Sequence, residues 1–168
     1  MMNVCMGVRR ISNLSVKKFS REDKEAVVDI ILRTKNFNEM DKDVAIELID
    51  HYLDFDDDEY LIESLFENKQ IIGYVCYGEA SLTVGTYEVY YIAIDENYQG
   101  KGFGKYLMNE VEKRLKGKAR MILIETSSDD TYIATQKFYE KLGYKEVVRI
   151  KDFYKIGDDK IMYEKRFY

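Results

Sequence analysis

Proline is missing altogether from the 168 residues, so no cis-proline turn and no proline-kinked helix can shape this chain. Tryptophan is absent too, and the aromatic weight falls on 15 tyrosines, whose rings carry a hydroxyl. The single histidine, His51, has no second histidine or cysteine placed to complete a metal site, so no metal is expected. The two cysteines, Cys5 and Cys76, are far apart, which is the usage of a reducing cytosol; a cytoplasmic location is expected. No apolar run approaches the ~20 residues of a membrane span, so no membrane partner is expected. The opening MMNVCMGVRR has no sustained apolar stretch and no small-residue cleavage site, so it is not read as a signal peptide. Positive charge is in the minority: the formal net charge is −5 and no basic patch stands out. Nucleic acid, whose phosphates need clustered Lys and Arg, is therefore not an expected partner.

What is present describes a folded chain. Hydrophobic residues make up 46% and charged residues 34%, a balance that excludes disorder. A chain of this size buries roughly 70% of its unfolded surface without disulfides. It reads as one domain over 1–168, with 1–12 a loosely ordered N-terminal extension. Leu14–Phe19 reads as a strand. Ser20 then caps a helix with Ala26, Val27, Ile30 and Ile31 on one side, and Met40–Leu53 repeats the pattern with Val44, Ala45, Leu48, Ile49 and Tyr52. Tyr60–Phe66 and Gln70–Tyr77 flank a hairpin turn at Glu67-Asn68-Lys69. Gly85–Asp95 contains TYEVYYIAI, apolar on both parities after Glu88, the mark of a central strand covered on both faces.

A glycine-rich loop follows, then a helix over Lys105–Lys116 ended by Gly117, then the strand Arg120–Thr126. Asp129 or Asp130 caps another helix running to Leu142, with Ile133, Ala134, Phe138 and Leu142 on its inner side. Tyr144–Ile150 and Lys160–Phe167 form a last strand pair. Strand, loop, helix and strand over 86–126 make a parallel pair with a right-handed crossover; the remainder reads as hairpins. The class is a mixed α/β sheet, not a doubly wound one.

The loop Gln99-Gly100-Lys101-Gly102-Phe103-Gly104-Lys105 opens a helix after a central strand, a position that gathers free backbone N–H groups and suits an anion. A Walker A loop fails twice: Tyr106 follows Lys105 where Ser or Thr is needed, and Gln99 stands where the first glycine belongs. A dinucleotide fingerprint beginning at Gly100 requires glycine or alanine at Lys105. The pattern Q/R-x-x-G-x-G/A is matched in full by Gln99, Gly102 and Gly104. With PheTyrGluLysLeuGlyTyr at 138–144, this loop makes the chain resemble the GNAT N-acetyltransferases, from about Tyr60 to Tyr144 and by element order over most of the length.

The resemblance implies a mostly antiparallel twisted sheet of six to seven strands, helices on both faces and a central parallel strand pair. It implies acetyl-CoA as co-substrate, no metal, and transfer to a primary amine of a small molecule or protein. Dimers are common in that family, so a homodimer is among the partners it implies. The diphosphate falls to Gln99, Gly100, Lys101, Gly102, Phe103, Gly104 and Lys105, and the pantetheine arm to backbone groups of Ile92 and Ile94, like an added strand. Glu88 takes the place of the general base of histone-acetylating members, and Tyr139 that of the general acid beside the thioester sulfur. The asparagine that many members carry seven residues before the tyrosine is Tyr132 here, and Thr131 or Tyr132 stands in through a hydroxyl. Two other readings stay open: a catalytically silent acetyl-CoA-binding or regulatory module, and a phosphate-loop nucleotide binder.

Weaker features have plain readings. Asp54, Asp56, Asp57, Asp58 and Glu59 form an acidic run; a calcium loop starting at Asp54 lacks its glycine at Glu59 and its glutamate at Leu65. The turn Asp152–Asp159 either is a simple hairpin loop or, as the family resemblance implies, flanks the acceptor pocket, with Tyr154 and Asp158 as contacts.

Overall fold

The computed structural model describes residues 13–55 and 59–167; Cys5, the extension 1–12 and Asp56, Asp57 and Asp58 lie outside them. Strand β1 (Leu14–Lys18) leads through a 3-10 turn at Arg21–Asp23 into α1 (Lys24–Arg33), where the Ser20 N–H donates to the Asp23 carboxylate at 3.0 Å. Helix α2 (Glu39–Asp54) is opened by a reciprocal cap. The Asp41 N–H donates to Asn38 and the Asn38 N–H to Asp41, both at 2.9 Å. This satisfies two otherwise orphaned donors. Val44, counted above in the apolar stripe, is 40% exposed because α2 turns it toward a cleft rather than the core.

Strands β2 (Leu61–Glu67) and β3 (Gln70–Glu79) are joined through Asn68 and Lys69, both with left-handed φ, as a tight hairpin requires. The remaining elements are β4 (Thr86–Ile94), α3 (Phe103–Leu115), β5 (Met121–Ser127), α4 (Ile133–Lys141), β6 (Lys145–Lys155) and β7 (Asp158–Arg166). The seven strands form one sheet in the order β1-β2-β3-β4-β5-β7-β6. Every pairing is antiparallel except β4 with β5. The final hairpin is longer than its sequence suggests: β6 runs to Lys155 and β7 begins at Asp158, so only Ile156 and Gly157 turn. It also folds back, placing β7 rather than β6 against β5.

Each face of the sheet carries helices. Leu107, Met108, Val111 and Leu115 of α3, with Tyr139 and Leu142, pack on Val75, Val89, Ile122, Ile124 and Ile161. Val27, Ile30 and Ile31 of α1, with Ala45 and Ile49 of α2, pack on Ile62, Tyr74, Cys76 and Ala93. Full burial of one such aliphatic side chain stabilises by roughly 1.5–3 kcal/mol, so these stripes, more than helix propensity, hold the helices. The inner side of α4 differs from expectation. Leu142 is buried, but Ile133 and Ala134 at the start of the helix, just after the 3-10 turn at Asp130–Tyr132, are exposed, and Tyr139 is buried in their place.

Candidate active site

The parallel pairing of β4 with β5 covers only Thr86–Val89 against Met121–Ile124. It stops there because β4 carries an extra residue. Cys76 faces Tyr91 while Tyr77 faces Val89, so Tyr90 is a bulge, and a bulged strand bends. Tyr90 and Tyr91 therefore both join the α1/α2 face, and beyond Val89 the two strands part. A cleft of about 1370 Å³ opens between them.

The register decides which β4 backbone groups look into that cleft. The Asp95 N–H donates to the Ile72 carbonyl at 2.8 Å, so alternation turns Ala93 and Tyr91 toward β3 and Ile92 and Ile94 toward the gap. The Ile94 carbonyl is taken by the Gln99 side chain at 2.9 Å, which leaves Ile92 as the open rung.

The loop after β4 is anchored at its start. Burial pushes the Asp95 pKa up, but the Asn97 backbone N–H and the Arg33 guanidinium outweigh it and hold the carboxyl below the usual range. Both contacts are 2.9 Å long. Gly100 and Gly102 adopt left-handed φ values of 72° and 88°, and an added Cβ at either would meet nothing within 4 Å. The cradle is thus open. Gly102 caps α3, which starts two residues before the Lys105 expected from its apolar spacing. No acidic side chain occupies the first turn, so its amides face the cleft unneutralised. Gly104 is the point of closest approach: a Cβ there would lie 3.2 Å from the Phe138 ring. The glycine loop and the 138–144 segment thus touch, through Gly104 and Phe138, 34 residues apart in the sequence.

Gln99, Gly100, Gly102, Phe103, Gly104 and Lys105 all line the cleft, as do Ile92, Ile94, Thr131 and Tyr132. Lys101 does not. Its ammonium donates to the Asn97 carbonyl at 2.7 Å and lies 5.2 Å above the Tyr98 ring. The hydroxyls of Thr131 and Tyr132 are already committed. Thr131 donates to Asp129 at 2.8 Å, and Tyr132 reaches across the cleft to Asp41 at 3.3 Å.

Glu88 and Tyr139 come to the cleft from opposite faces of the sheet. Tyr87 and Val89 point to the α3/α4 side, so alternation sends Glu88 to the α1/α2 side, half-buried and with no hydrogen bond or ion pair among the described residues. Tyr139 is 5% exposed, wedged among Phe138, Tyr144 and Tyr163 at ring separations of 5.3, 6.2 and 6.0 Å. Burial raises its pKa above the ordinary tyrosine value, so the hydroxyl keeps its proton. Cys76 is buried under α1 and α2, and burial pushes its thiol up to about 12, which leaves it no use as an acyl carrier.

Several cleft residues are absent from the sequence expectations. Glu125 on β5 carries the mark that singles out Glu88, one carboxylate in an apolar strand, and it accepts from the Tyr154 hydroxyl at 2.6 Å and pairs with Lys160. Asp41 is foreshadowed only by the Asn38-x-x-Asp41 spacing of its cap. Tyr154 and Asp158 do line the cleft.

This constellation is that of a transferase, and comparison defines the class. Residues 24–144 match the acetyltransferase (GNAT) family, and the chain belongs to it. It is 37% identical over 97 residues to the [ribosomal protein bS18]-alanine N-acetyltransferase of Haemophilus influenzae, spanning 56% of this chain and 62% of that one. Among solved structures, a Desulfovibrio desulfuricans protein assigned to the GNAT acetyltransferases superposes with a TM-score of 0.85 at 32% identity, covering 91% of this chain and 98% of the other. An aminoglycoside 6'-N-acetyltransferase complexed with coenzyme A shares the fold, with a TM-score of 0.69 at 16% identity over 90% and 96% of the two chains.

Proposed function

We propose that this acetyltransferase moves acetyl from acetyl-CoA directly to a primary amine of a small molecule or protein. One observation carries the reading. A helix N-terminus with free amides and the open backbone rung at Ile92 border a single cleft, with a carboxylate on one face of the sheet and a buried tyrosine on the other. The open cradle at Gly100 and Gly102 fits the diphosphate of coenzyme A.

Acetyl-CoA supplies a thioester, an acyl group already activated for attack by an amine. The amides of Gly102 to Lys105 bind its diphosphate with help from the helix dipole. The Ile92 backbone pairs with the extended arm and polarises the reacting carbonyl as negative charge builds on its oxygen. Glu88 accepts the proton that the ammonium must lose before attack. An alkyl amine with a pKa near ~10.4 costs about 4–5 kcal/mol to deprotonate at pH 7, which a placed base defrays. As the carbon–sulfur bond breaks, Tyr139 donates its hydroxyl hydrogen to the departing sulfur, and the second proton that the nitrogen sheds on becoming an amide restores the tyrosine. The two reactants enter from opposite faces and meet in the gap that the Tyr90 bulge makes.

Calorimetry with acetyl-CoA, followed by a thiol-release assay against a panel of amines, tests the reading. Saturable binding with thiol release for at least one amine is expected. Binding without release for any amine would mean a silent module instead. Glu88→Gln is expected to lower kcat/KM about 100-fold at pH 7, with partial recovery toward pH 9.5 as the amine deprotonates unaided. A pH 7 rate equal to wild type removes Glu88 as the base.

A further inference from the structure

Besides parting two strands, the β4 bulge lays two adjacent tyrosines on the side of the sheet that Glu88 faces. Tyr91 meets Phe37, between α1 and α2, edge to face, and Tyr90 meets Tyr60, just before β2, in the same way; both ring separations are 5.6 Å. All four rings line the cleft and none is fully buried, so part of each looks into it. Leu48 and the 40% exposed Val44 extend this apolar wall along α2. A Cβ on Gly78, the β3 residue opposite Glu88, would meet the Tyr90 ring at 3.3 Å, which puts that ring beside Glu88. Burial first, and then the Glu88 charge, pushes the Tyr90 pKa up to about 12. Glu88 is also the one carboxylate lining the cleft that has no partner among the described residues. Asp41 and Asp158 accept from the hydroxyls of Tyr132 and Ser127, and Asp95, Glu96, Glu125 and Asp129 pair with Arg33, Lys35, Lys160 and Lys155.

We propose that the acceptor is a primary monoamine carrying an aromatic or aliphatic group a few bonds from its nitrogen, with the nitrogen at Glu88 and the apolar group between the Tyr60–Tyr90 and Phe37–Tyr91 pairs. The inference rests on the acetyl-transfer reading and names its substrate class. Half-covered rings in a concave wall leave apolar surface in water, and an apolar guest removes it, while the single free carboxylate fixes the guest's orientation. An arene adds edge-to-face contact with the rings already there. A polycation is the poorer guest, because its second ammonium would lose hydration against a wall with no free carboxylate to receive it.

The test is calorimetry of the protein saturated with coenzyme A, which has no acetyl group to give. The probes are 2-phenylethylamine, 3-phenylpropylamine and hexylamine, set against ethylamine and 1,4-diaminobutane. At least one of the first three is expected to bind about tenfold or more tightly than both references. Tyr60→Ala, which takes one ring from the wall, is expected to cut that ratio about threefold or more. Equal affinities, none measurable, or tighter binding of the diamine overturn the proposal with the wild type alone, and so does a folded Tyr60→Ala protein that keeps the full ratio. A tripeptide amide that begins with phenylalanine, set against one that begins with alanine, tells two sources of this chemistry apart. A tenfold preference there supports a peptide end as the carrier of the apolar group, and its absence beside tight phenylalkylamine binding supports a free amine. Failure of the acetyl-transfer reading appears separately, as absence of acetyl-CoA binding or of thiol release with any amine.

Discussion

Replacing Tyr139 with phenylalanine is expected to leave acetyl-CoA affinity within about twofold of wild type and to slow turnover roughly 10²–10⁴-fold. The variant is clean because the ring, not the hydroxyl, does the packing. Tyr139 is held by three aromatic neighbours, and phenylalanine preserves all of these contacts. What is lost is the hydroxyl proton that the proposed reaction directs to the departing sulfur. Burial makes this hydroxyl a weaker acid than a free tyrosine, so its contribution is hydrogen-bond donation to charge as it develops. Pre-steady-state measurement of thiol release beside equilibrium binding separates the two effects. Equal loss of binding and rate would assign Tyr139 to holding the arm, and an unchanged rate would remove it from the chemistry.

Gly104→Glu is expected to weaken acetyl-CoA binding by about 3 kcal/mol, roughly 100-fold, through two additive insults. The first is steric: any Cβ at this position meets the Phe138 ring at 3.2 Å, so the ring must give by a few tenths of an ångström. The second is electrostatic, since a carboxylate in the first turn neutralises the amides that would otherwise meet the diphosphate. Gly104→Ala carries only the first insult and should fall between wild type and the glutamate variant. The calorimetric Kd of each checks the order, and thermal denaturation monitors the packing change. Wild-type affinity in Gly104→Glu would place the diphosphate elsewhere.

Local chemistry in this sequence is legible where it repeats. The four-residue spacing of Leu107, Val111 and Leu115 marks α3, and TYEVYYIAI marks a strand covered on both sides. The site is legible in so far as it rests on backbone, since the glycine loop and the 138–144 segment are contiguous in sequence. Features made by distant contacts are not. The bulge at Tyr90 sits within EVYYI, where nothing distinguishes an extra tyrosine from a paired one, yet it creates the cleft. The placement of β7 between β5 and β6 is a choice of pairing partner, which no local signal carries. The contact of Lys101 with the Asn97 carbonyl is another that the loop sequence does not announce. Asp158 reads as a turn residue or an acceptor contact, and its burial follows only from the folded hairpin.

A sheet shaped for cohesion alone would zip up between its fourth and fifth strands. The ladder lost beyond Val89 is forgone strength, at roughly 1 kcal/mol for each missing rung, in the middle of the molecule rather than at its margin. Efforts to toughen this protein against heat should therefore leave that seam alone and turn to the outermost strand, β6, all of whose residues are exposed. Any change that heals the gap yields a sturdier molecule without the cleft that the proposed transfer requires.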